Sequence, residues 1–396
     1  MKKPIMPRPA RAETKVMRPY RVGPTAAALL IALFFPLSPA LAADARPEWQ
    51  LDWERALKAA EQEGELMVYT TTSTDAVLRE VFQKKFPKIK VTTVTGRGFQ
   101  LGQKVLAERR ADKFIPDIFV QGSTTPTTAL YPAKALDPVK PLLVLPDVVD
   151  PSKWWQKKHQ YVDNEGQYIF MFEGSPGGEV LYNKNLVHPD ELKSYWDLLN
   201  PRWKGKIVAM DPTVAGPASQ TVIFYYHSPD LGAEFLRRLF GETGIKIIRE
   251  DERLIDWVAL EKFALGLFPR GTEVAGAEKA GLPVKQFPPG HFKEGAFISP
   301  TGLTVSFFNR APHPSAAKIA LNWFLSREGQ LAWLDYIVKS GDDQDSMRDD
   351  IPDDRRNPKA RRVPGVKYFL TNKYDLLTNQ KPIVDLLKKS LDSAKP

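Results

Sequence analysis

Residues Thr301–Gln330 read TGLTVSFFNRAPHPSAAKIALNWFLSREGQ, and this stretch contains the pattern of one complete strand and one helix. The unbroken apolar run Leu303–Phe308 predicts a buried strand, and Pro312 and Pro314 mark the turn that follows it. Apolar residues then recur over 316–324 at the helical period of about 3.6 residues. Periodicity alone therefore predicts a βα unit in the core of an α/β protein.

The run Ala311–Gln330 also resembles the signature of bacterial extracellular solute-binding proteins of the ferric-iron-binding type. A second segment, WDLLNPRWKGKI at Trp196–Ile207, closely resembles another part of that family, and a weaker resemblance extends over residues 50–335. The resemblance implies the type II periplasmic-binding-protein fold, an α/β architecture with two hinged lobes, each a mixed sheet flanked by helices. It further implies a binding protein, not an enzyme, that presents a small solute to the permease of an ABC-type importer.

The length of the chain agrees with two lobes, because 396 residues exceed the roughly 250–300 at which a single core stops growing. With 43% hydrophobic residues the chain has enough apolar side chains to fill two cores. We expect a division into a signal peptide at 1–42, a first segment of lobe 1 at 43–170, lobe 2 at 171–295, a return to lobe 1 at 296–335, and a C-terminal segment at 336–396 that packs at the hinge and on the lobes.

The first 42 residues have the pattern of a cleaved secretory signal. A basic leader precedes the apolar run Thr25–Leu37, and Ala40-Leu41-Ala42 supplies a small-x-small cleavage site. The apolar run is shorter than the roughly 20 residues that a membrane-spanning helix needs, and Pro36 interrupts it. We therefore expect export to the periplasm rather than a membrane anchor.

The composition of the remaining chain excludes several classes of function. Seven of the 56 basic residues and one of the 47 acidic residues lie in the leader, so the net charge falls from +9 to +3. That mild balance, without a basic stripe, gives no support for nucleic-acid binding. The chain has no cysteine, which excludes disulfides and thiolate metal sites. We expect a monomer that needs no cofactor.

Three polar turns follow three predicted strands in the first lobe, and each lies where a helix is expected to begin. In a parallel sheet these turns share one edge, where helix N-termini and hydroxyl groups suit an anionic or oxygen-rich solute. Ser73 or Thr74 is the expected cap of the first helix. Arg97, between two glycines, is a candidate for bidentate binding of a carboxylate or phosphate, with a surface ion pair as the alternative. The candidate ligand-binding residues of this lobe are Thr71, Thr72, Ser73, Arg97, Ser123 and Thr124.

The second lobe repeats the pattern after Val208-Ala209-Met210, where Thr213 lies in a polar turn before a predicted helix. Ferric-binding members of the family hold their metal with an adjacent tyrosine pair, but the corresponding stretch here, Gly266–Thr272, has no tyrosine. The pair Tyr225-Tyr226 lies about 40 residues too early and is better explained as core. Arg270 stands in the tyrosine region and completes the candidate ligand-binding set, which favours an anionic organic solute over iron.

Metal and enzyme readings find less support. The five histidines show no metal-ligand spacing, and the cluster Asp342, Asp343 and Asp345 lacks the glycine and closing glutamate of a calcium loop, so it is interpreted as a solvated turn. The surrounding charged segment, Gly341–Pro364, is expected to be exposed. A ferric-ion carrier remains the alternative within the family. A secreted hydrolase is the alternative from another class, although no nucleophile elbow or metalloprotease motif supports it.

Overall fold

A computed structural model of the chain describes residues 15, 17, 46–177, 180–214, 217–298 and 302–394. The predicted signal peptide lies outside these residues except for Lys15 and Met17, and residues from Arg46 onward form one unit. Across the described ranges, no helix combines the length and the apolar character that crossing a membrane requires.

The strand predicted at Leu303–Phe308 is confirmed, with the same bounds and with all six residues buried. It is β13, and it lies in the middle of the first sheet, antiparallel to a strand on each side. The helix predicted after it is also confirmed as α10, Pro314–Leu325, with Pro314 in its first turn, where proline lacks no helical hydrogen bond. A second helix, α11, follows directly at Arg327–Ser340 and is capped by the Ser326 side chain.

The first sheet has seven strands in the order β2-β1-β3-β13-β6-β5, with β4 also paired to β13. The pairings of β1 with β2 and of β1 with β3 are parallel, as three consecutive βα units predict, whereas the remaining pairs are antiparallel. Besides β13, the strands of this sheet are β1 Glu65–Thr70, β2 Lys90–Thr95, β3 Ile118–Gly122, β4 Leu136–Asp137, β5 Gln160–Tyr161 and β6 Ile169–Met171. This sheet and its helices are called lobe 1.

The second sheet has five strands in the order β11-β7-β10-β8-β9. Strand β8 is parallel to both β9 and β10, whereas β7 is antiparallel to both β10 and β11. The bounds are β7 Val180–Asn183, β8 Ile207–Met210, β9 Lys246–Ile248, β10 Leu265–Leu267 and β11 Val284–Gln286. This sheet and its helices are called lobe 2, and the chain enters it after β6 and leaves it before β13. A separate parallel pair joins β12 Ala296–Ile298 to β14 Tyr368–Leu370.

Helices flank both sheets. Lobe 1 carries α1 at Glu48–Glu63, α2 at Thr72–Val77, α3 at Gln83–Lys85, α4 at Gly98–Arg110 and α5 at Pro146–Val149, together with α10 and α11. A π-helical turn at Leu78–Phe82 joins α2 to α3. Lobe 2 carries α6 at Pro217–His227, α7 at Gly232–Glu242, α8 at Asp251–Ala259 and α9 at Gly271–Lys279. The chain closes with α12 at Tyr374–Thr378, against lobe 1, and α13 at Lys381–Ser393, against α7 of lobe 2.

The first lobe buries more of the chain than the sequence predicts. The irregular, Pro-rich stretch 131–155 predicts a connection over the surface, but Val139, Val148 and Trp154 in it are buried in the core of lobe 1. The Trp154 indole nitrogen donates a 3.0 Å hydrogen bond to the Val148 carbonyl, so the only polar atom of the Trp154 side chain has a partner. The prediction is wrong because turn-forming prolines were taken to indicate exposure, whereas here they lie between buried apolar anchors.

The expectation of an exposed charged segment at Gly341–Pro364 is correct only in part, because residues 352–355 are exposed whereas residues 345–348 are buried. Residues Asp345, Ser346, Met347 and Arg348 have no accessible surface, and Arg356 is only 7% exposed. The cluster interpreted as a solvated turn therefore contains a fully buried carboxylate. Charges of both signs are typical of an exposed loop, but Asp345, Arg348 and Arg356 are buried because each pairs with an opposite charge.

The buried charged side chains lie within hydrogen-bond distance of partners of opposite charge. Arg356 Nη1 lies 2.6 and 2.7 Å from the two oxygens of Asp345, and the Arg348 guanidinium makes a bidentate pair with Asp350 at 2.8 Å. Burial raises the pKa of Asp345, and the guanidiniums of Arg356 and Arg362 counteract that rise. Each charge thus depends on its partner, because a lone buried charge is strongly destabilising.

Loss of one member of the Asp345–Arg356 pair should destabilise the protein strongly. We expect Arg356→Ala to lower the free energy of unfolding by about 3–5 kcal/mol, because the buried Asp345 carboxylate loses its hydrogen-bonded partner and keeps only Arg362, at 3.7 Å. The neighbouring residue supplies a matched control: Arg355 pairs with Asp335 where both side chains are about half exposed, and Arg355→Ala should have a much smaller effect because solvent screens the pair. Urea unfolding of both variants measures the difference, and equal losses would contradict the buried-pair account.

Candidate functional site

The first polar turn of lobe 1 begins as soon as β1 ends at Thr70. The hydroxyl of Thr71 caps α2 by accepting a 3.4 Å hydrogen bond from the Thr74 backbone nitrogen, and it lies 3.2 Å from the Ser73 hydroxyl. The cap is thus Thr71, and the predicted cap at Ser73 or Thr74 is wrong, because the helix starts directly after the strand. Thr72 is exposed, whereas Ser73 is buried. The turn thus places a cluster of hydroxyl groups at the carboxyl edge of the sheet.

The second and third polar turns of lobe 1 are packed against each other. The Gln121 side-chain amide donates a 3.1 Å hydrogen bond to the Gly96 carbonyl, and a methyl group on Gly102 would overlap the Thr125 side chain. Arg97 precedes the first residue of α4 and is exposed. Within the described part of the chain its guanidinium has no ion pair, so it is available to an anion in solution.

Of the two candidates in the third turn, only Thr124 is exposed. Ser123 has just 1% of its surface accessible, and its hydroxyl lies 2.6 Å from Asn372 Oδ1. Its backbone nitrogen donates to the Gly302 carbonyl at 2.9 Å. The structure thus gives the buried Ser123 hydroxyl a protein partner from the C-terminal part of the chain. Nothing in the sequence indicated Asn372, which lies about 250 residues away.

In lobe 2, the polar turn after β8 is built around Asp211. One of its oxygens accepts hydrogen bonds from the Thr213 backbone nitrogen at 2.9 Å and hydroxyl at 2.6 Å, and the other contacts Arg249 at 3.0 Å. Burial alone would raise the pKa of Asp211, but the Thr213 hydrogen bonds and the Arg249 charge outweigh it and hold the pKa below its ordinary value. Thr213 is therefore oriented by an ionised carboxylate, which sequence reasoning missed.

Arg270 lies at the carboxyl edge of the same sheet, immediately before α9. Its Nε is 3.0 Å from Asp251 Oδ2, and its side chain remains 58% exposed. Asp251 is the first residue of α8, and burial raises its pKa while the Arg270 charge opposes that rise. Arg270 therefore spans the starts of two helices, with more than half of its side chain still accessible.

The backbone that leads to Arg270 is strained. Phe268 has a φ of 65°, in the left-handed region that bulky side chains rarely adopt, and it is followed by Pro269. Its ring is buried and lies 6.1 Å from the Tyr225 ring, so core packing holds the residue in place. Such strain is typical of functional edges. It turns the chain from β10 into α9 and thereby sets the position of Arg270.

The tyrosine pair inside α6 has one member in the core of lobe 2 and one at its surface. Tyr225 has no accessible surface, and its ring packs 4.9 Å from Tyr195 and 5.2 Å from Phe235. Tyr226 is partly exposed and its ring contacts His227. Among the described residues, no group of three or more histidine, cysteine, aspartate or glutamate side chains is arranged to hold a metal ion. The position of Tyr225 agrees with its interpretation as core.

No family model matches the chain. Among solved structures, a Trichodesmium protein (IdiA, FutA) in complex with iron and citrate is 19% identical, with a TM-score of 0.62, 83% of this chain and 99% of that chain covered. AfuA, a periplasmic binding protein of Actinobacillus pleuropneumoniae with fructose-6-phosphate bound, is 18% identical, with a TM-score of 0.57 and coverage of 84% and 98%. An extracellular solute-binding protein of Bordetella parapertussis, described as putative, is 16% identical, with a TM-score of 0.63 and coverage of 83% and 99%.

These likenesses extend over almost the whole length of each neighbour and over both lobes of this chain. They confirm the predicted fold class: the protein has the type II periplasmic-binding-protein fold, with two mixed sheets flanked by helices. At these identities the likeness shows the fold alone. The ligand has to be argued from the residues of this chain.

The first test of the site concerns iron. Because the stretch Gly266–Thr272 has no tyrosine and Tyr225 is buried, addition of ferric citrate at neutral pH should produce no visible phenolate-to-iron charge-transfer band. Absorption spectroscopy of the purified protein measures this, with Tyr226→Phe as the companion variant because Tyr226 is the accessible member of the pair. A stoichiometric coloured complex that Tyr226→Phe abolishes would restore the iron reading.

Proposed function

We propose that the protein is the solute-binding component of an ABC-type importer, which closes its two lobes on a small organic anion and delivers it to a membrane permease. One observation carries the proposal: an exposed arginine precedes a helix at the carboxyl edge of each sheet, Arg97 before α4 and Arg270 before α9. Open α/β sheets bind ligands at this edge. A solute held between two such edges meets guanidinium groups from both lobes.

The surrounding groups favour an anion with several oxygens. The exposed Thr72 hydroxyl can donate a hydrogen bond at the edge of lobe 1, whereas the Thr71 and Thr213 hydroxyls already donate their protons to Thr74 and Asp211. Helix N-termini at these edges add unpaired backbone N–H groups and a partial positive charge. A guanidinium pairs with a carboxylate or phosphate through two parallel hydrogen bonds. A carboxylate or phosphate ester therefore fits the site better than a neutral sugar or a free cation.

The structural neighbours support this ligand class. One is described with iron and citrate and another with fructose-6-phosphate, and both citrate and a sugar phosphate are small anions. The same fold thus accommodates an organic anion with and without a metal. In this chain the absence of tyrosine from Gly266–Thr272 favours the anion without iron, so the ferric-ion carrier is the less supported alternative.

The proposal includes the cellular setting that the sequence predicts. The protein is exported through its N-terminal signal, acts as a monomer in the periplasm, and binds the permease in its solute-loaded form. Binding and closure involve no bond making or breaking, so no catalytic residues are assigned. The secreted hydrolase is the rival, and a turnover assay on the retained solute distinguishes it from a binding protein.

The proposal predicts a defined role for Arg270. Native mass spectrometry of protein purified without denaturation identifies the retained solute, and calorimetry then measures its affinity. Arg270→Ala should weaken binding about tenfold or more, because a charge-assisted hydrogen bond contributes roughly 1.5–3 kcal/mol. Arg270→Lys should recover only part of the loss, since an ammonium cannot make the bidentate pair.

The matched control for this experiment is Arg253→Ala. Arg253 lies on α8 of the same lobe, is exposed, and pairs with Glu250 at 3.5 Å, so its removal changes the charge of lobe 2 equally. We expect affinity within about twofold of the unmodified protein, because Arg253 pairs with Glu250 and is not among the residues proposed to contact the solute. A neutral solute, or an affinity indifferent to both Arg97→Ala and Arg270→Ala, would overturn the proposed site.

A further inference from the structure

The charged segment Gly341–Pro364 connects lobe 1 to lobe 2 in a way that the proposed function does not require. It follows α11 of lobe 1, and its Met347 and Ile351 are buried in the core of that lobe. Two of its side chains reach α9, which belongs to lobe 2 because Val274 and Ala277 pack into a core of that sheet. One segment thus touches both lobes.

The segment is also fastened to the chain where it crosses from β6 to β7. The Gly174 backbone nitrogen donates to the Asp345 carbonyl at 2.8 Å, and Arg362 Nη1 donates to the Gly174 carbonyl at 2.9 Å. A side chain at Gly174 would overlap both Met347 and Arg362. The buried Asp345–Arg356 pair holds the segment in this conformation. The charged segment is therefore anchored both to lobe 1 and to the stretch of chain that crosses from β6 to β7.

The first contact with lobe 2 lies at the start of α9. Asp343 Oδ2 is so close to Gly271 that a methyl group on Gly271 would overlap it. The other oxygen of Asp343 accepts a 3.2 Å hydrogen bond from Asn357 Nδ2, which also donates to the Asp342 carbonyl at 3.1 Å. The carboxylate is therefore fixed from within the charged segment, and it fits against α9 only because residue 271 is glycine.

The second contact lies toward the other end of the same helix. Lys359 Nζ is 2.7 Å from Glu278 Oε2. Seven residues separate Gly271 from Glu278, which is about 10 Å along a helix. A close approach at Gly271 and an ion pair at Glu278, at that spacing, restrict both the position of α9 and its rotation relative to the charged segment, which a single contact cannot do.

We propose that the charged segment is a strap that holds lobe 2 against lobe 1 before any solute is bound, through Asp343 at Gly271 and Lys359 at Glu278. Opening of the lobes breaks these contacts, and closure restores them. A protein whose closed form is already populated without solute loses less affinity to the closing equilibrium. The strap rests on the proposed two-lobed clamp, but it acts without solute and is tested without one.

The test uses the natural absence of cysteine in the chain. Spin labels on Ala107→Cys in α4 and Asp256→Cys in α8, both exposed positions in different lobes, report the distance between the lobes by pulsed electron resonance. The protein is first unfolded in urea, dialysed to remove retained solute, and refolded. We expect Gly271→Ala and Asp343→Ala each to increase the long-distance population about threefold or more relative to the same labelled protein without the change.

Two comparisons make the result specific to the strap. Asp342→Ala removes an equal charge at the neighbouring position. The Asp342 carboxylate accepts a hydrogen bond from the Ser340 hydroxyl, so its loss should leave the distances between the spin labels unchanged. Adding Gly271→Ala to Asp343→Ala should have no further effect, because the oxygen that the methyl group overlaps is then missing. Gly271 does not have a positive φ, so alanine fits its backbone.

The outcome that would overturn the strap is a distance distribution in Gly271→Ala and Asp343→Ala that matches the unmodified protein while both variants keep its urea midpoint. If these distances change but no solute binds, the strap stands and the proposed function fails. If solute binds with the expected Arg270 dependence but the distances do not change, the proposed function stands and the strap fails.

Discussion

The fold depends on the pairing of β13 between β3 and β6. Leu303 lies opposite Gly122, and Thr304 lies opposite Met171, so this strand joins parts of lobe 1 that are separated in sequence by the whole of lobe 2. All six residues of β13 are buried, so the sheet of lobe 1 is complete only when the chain has returned from lobe 2. Lobe 2 is consequently an insertion into the sheet of lobe 1, and the chain has to cross between the sheets in both directions. Those crossings make relative motion of the lobes possible.

The sequence predicted those parts of the molecule in which local patterns and burial agree. The strand at Leu303–Phe308, the parallel order of the first three strands and the helix at Pro314–Leu325 follow from unbroken apolar runs, polar turns and helical spacing. The charged segment could not be predicted in this way. Its buried state depends on the pairing of Asp345 with Arg356 and on Arg362 reaching Gly174 across nearly 190 residues. Composition carries no information about such partners.

The candidate site shows the same limit. The positions of Thr71, Arg97, Thr213 and Arg270 at the carboxyl edges of strands follow from the strand, turn and helix pattern. The partner residues that orient or cover these side chains do not follow from that pattern. Asn372 covers Ser123, and Asp251 pairs with Arg270, because the tertiary fold brings distant segments together. Sequence patterns thus locate an edge of a sheet, whereas the accessible functional groups on that edge are decided by packing.

Helix α13 has a consequence for proteolysis. Its Ile383 and Leu387 are buried in the core of lobe 2 and pack with α7, whereas α12, which precedes it, lies against lobe 1. A protease cut between α12 and α13 would release the helix that covers α7 and expose apolar side chains of the lobe 2 core to water. A clipped molecule would therefore be prone to aggregate even though its two sheets are intact.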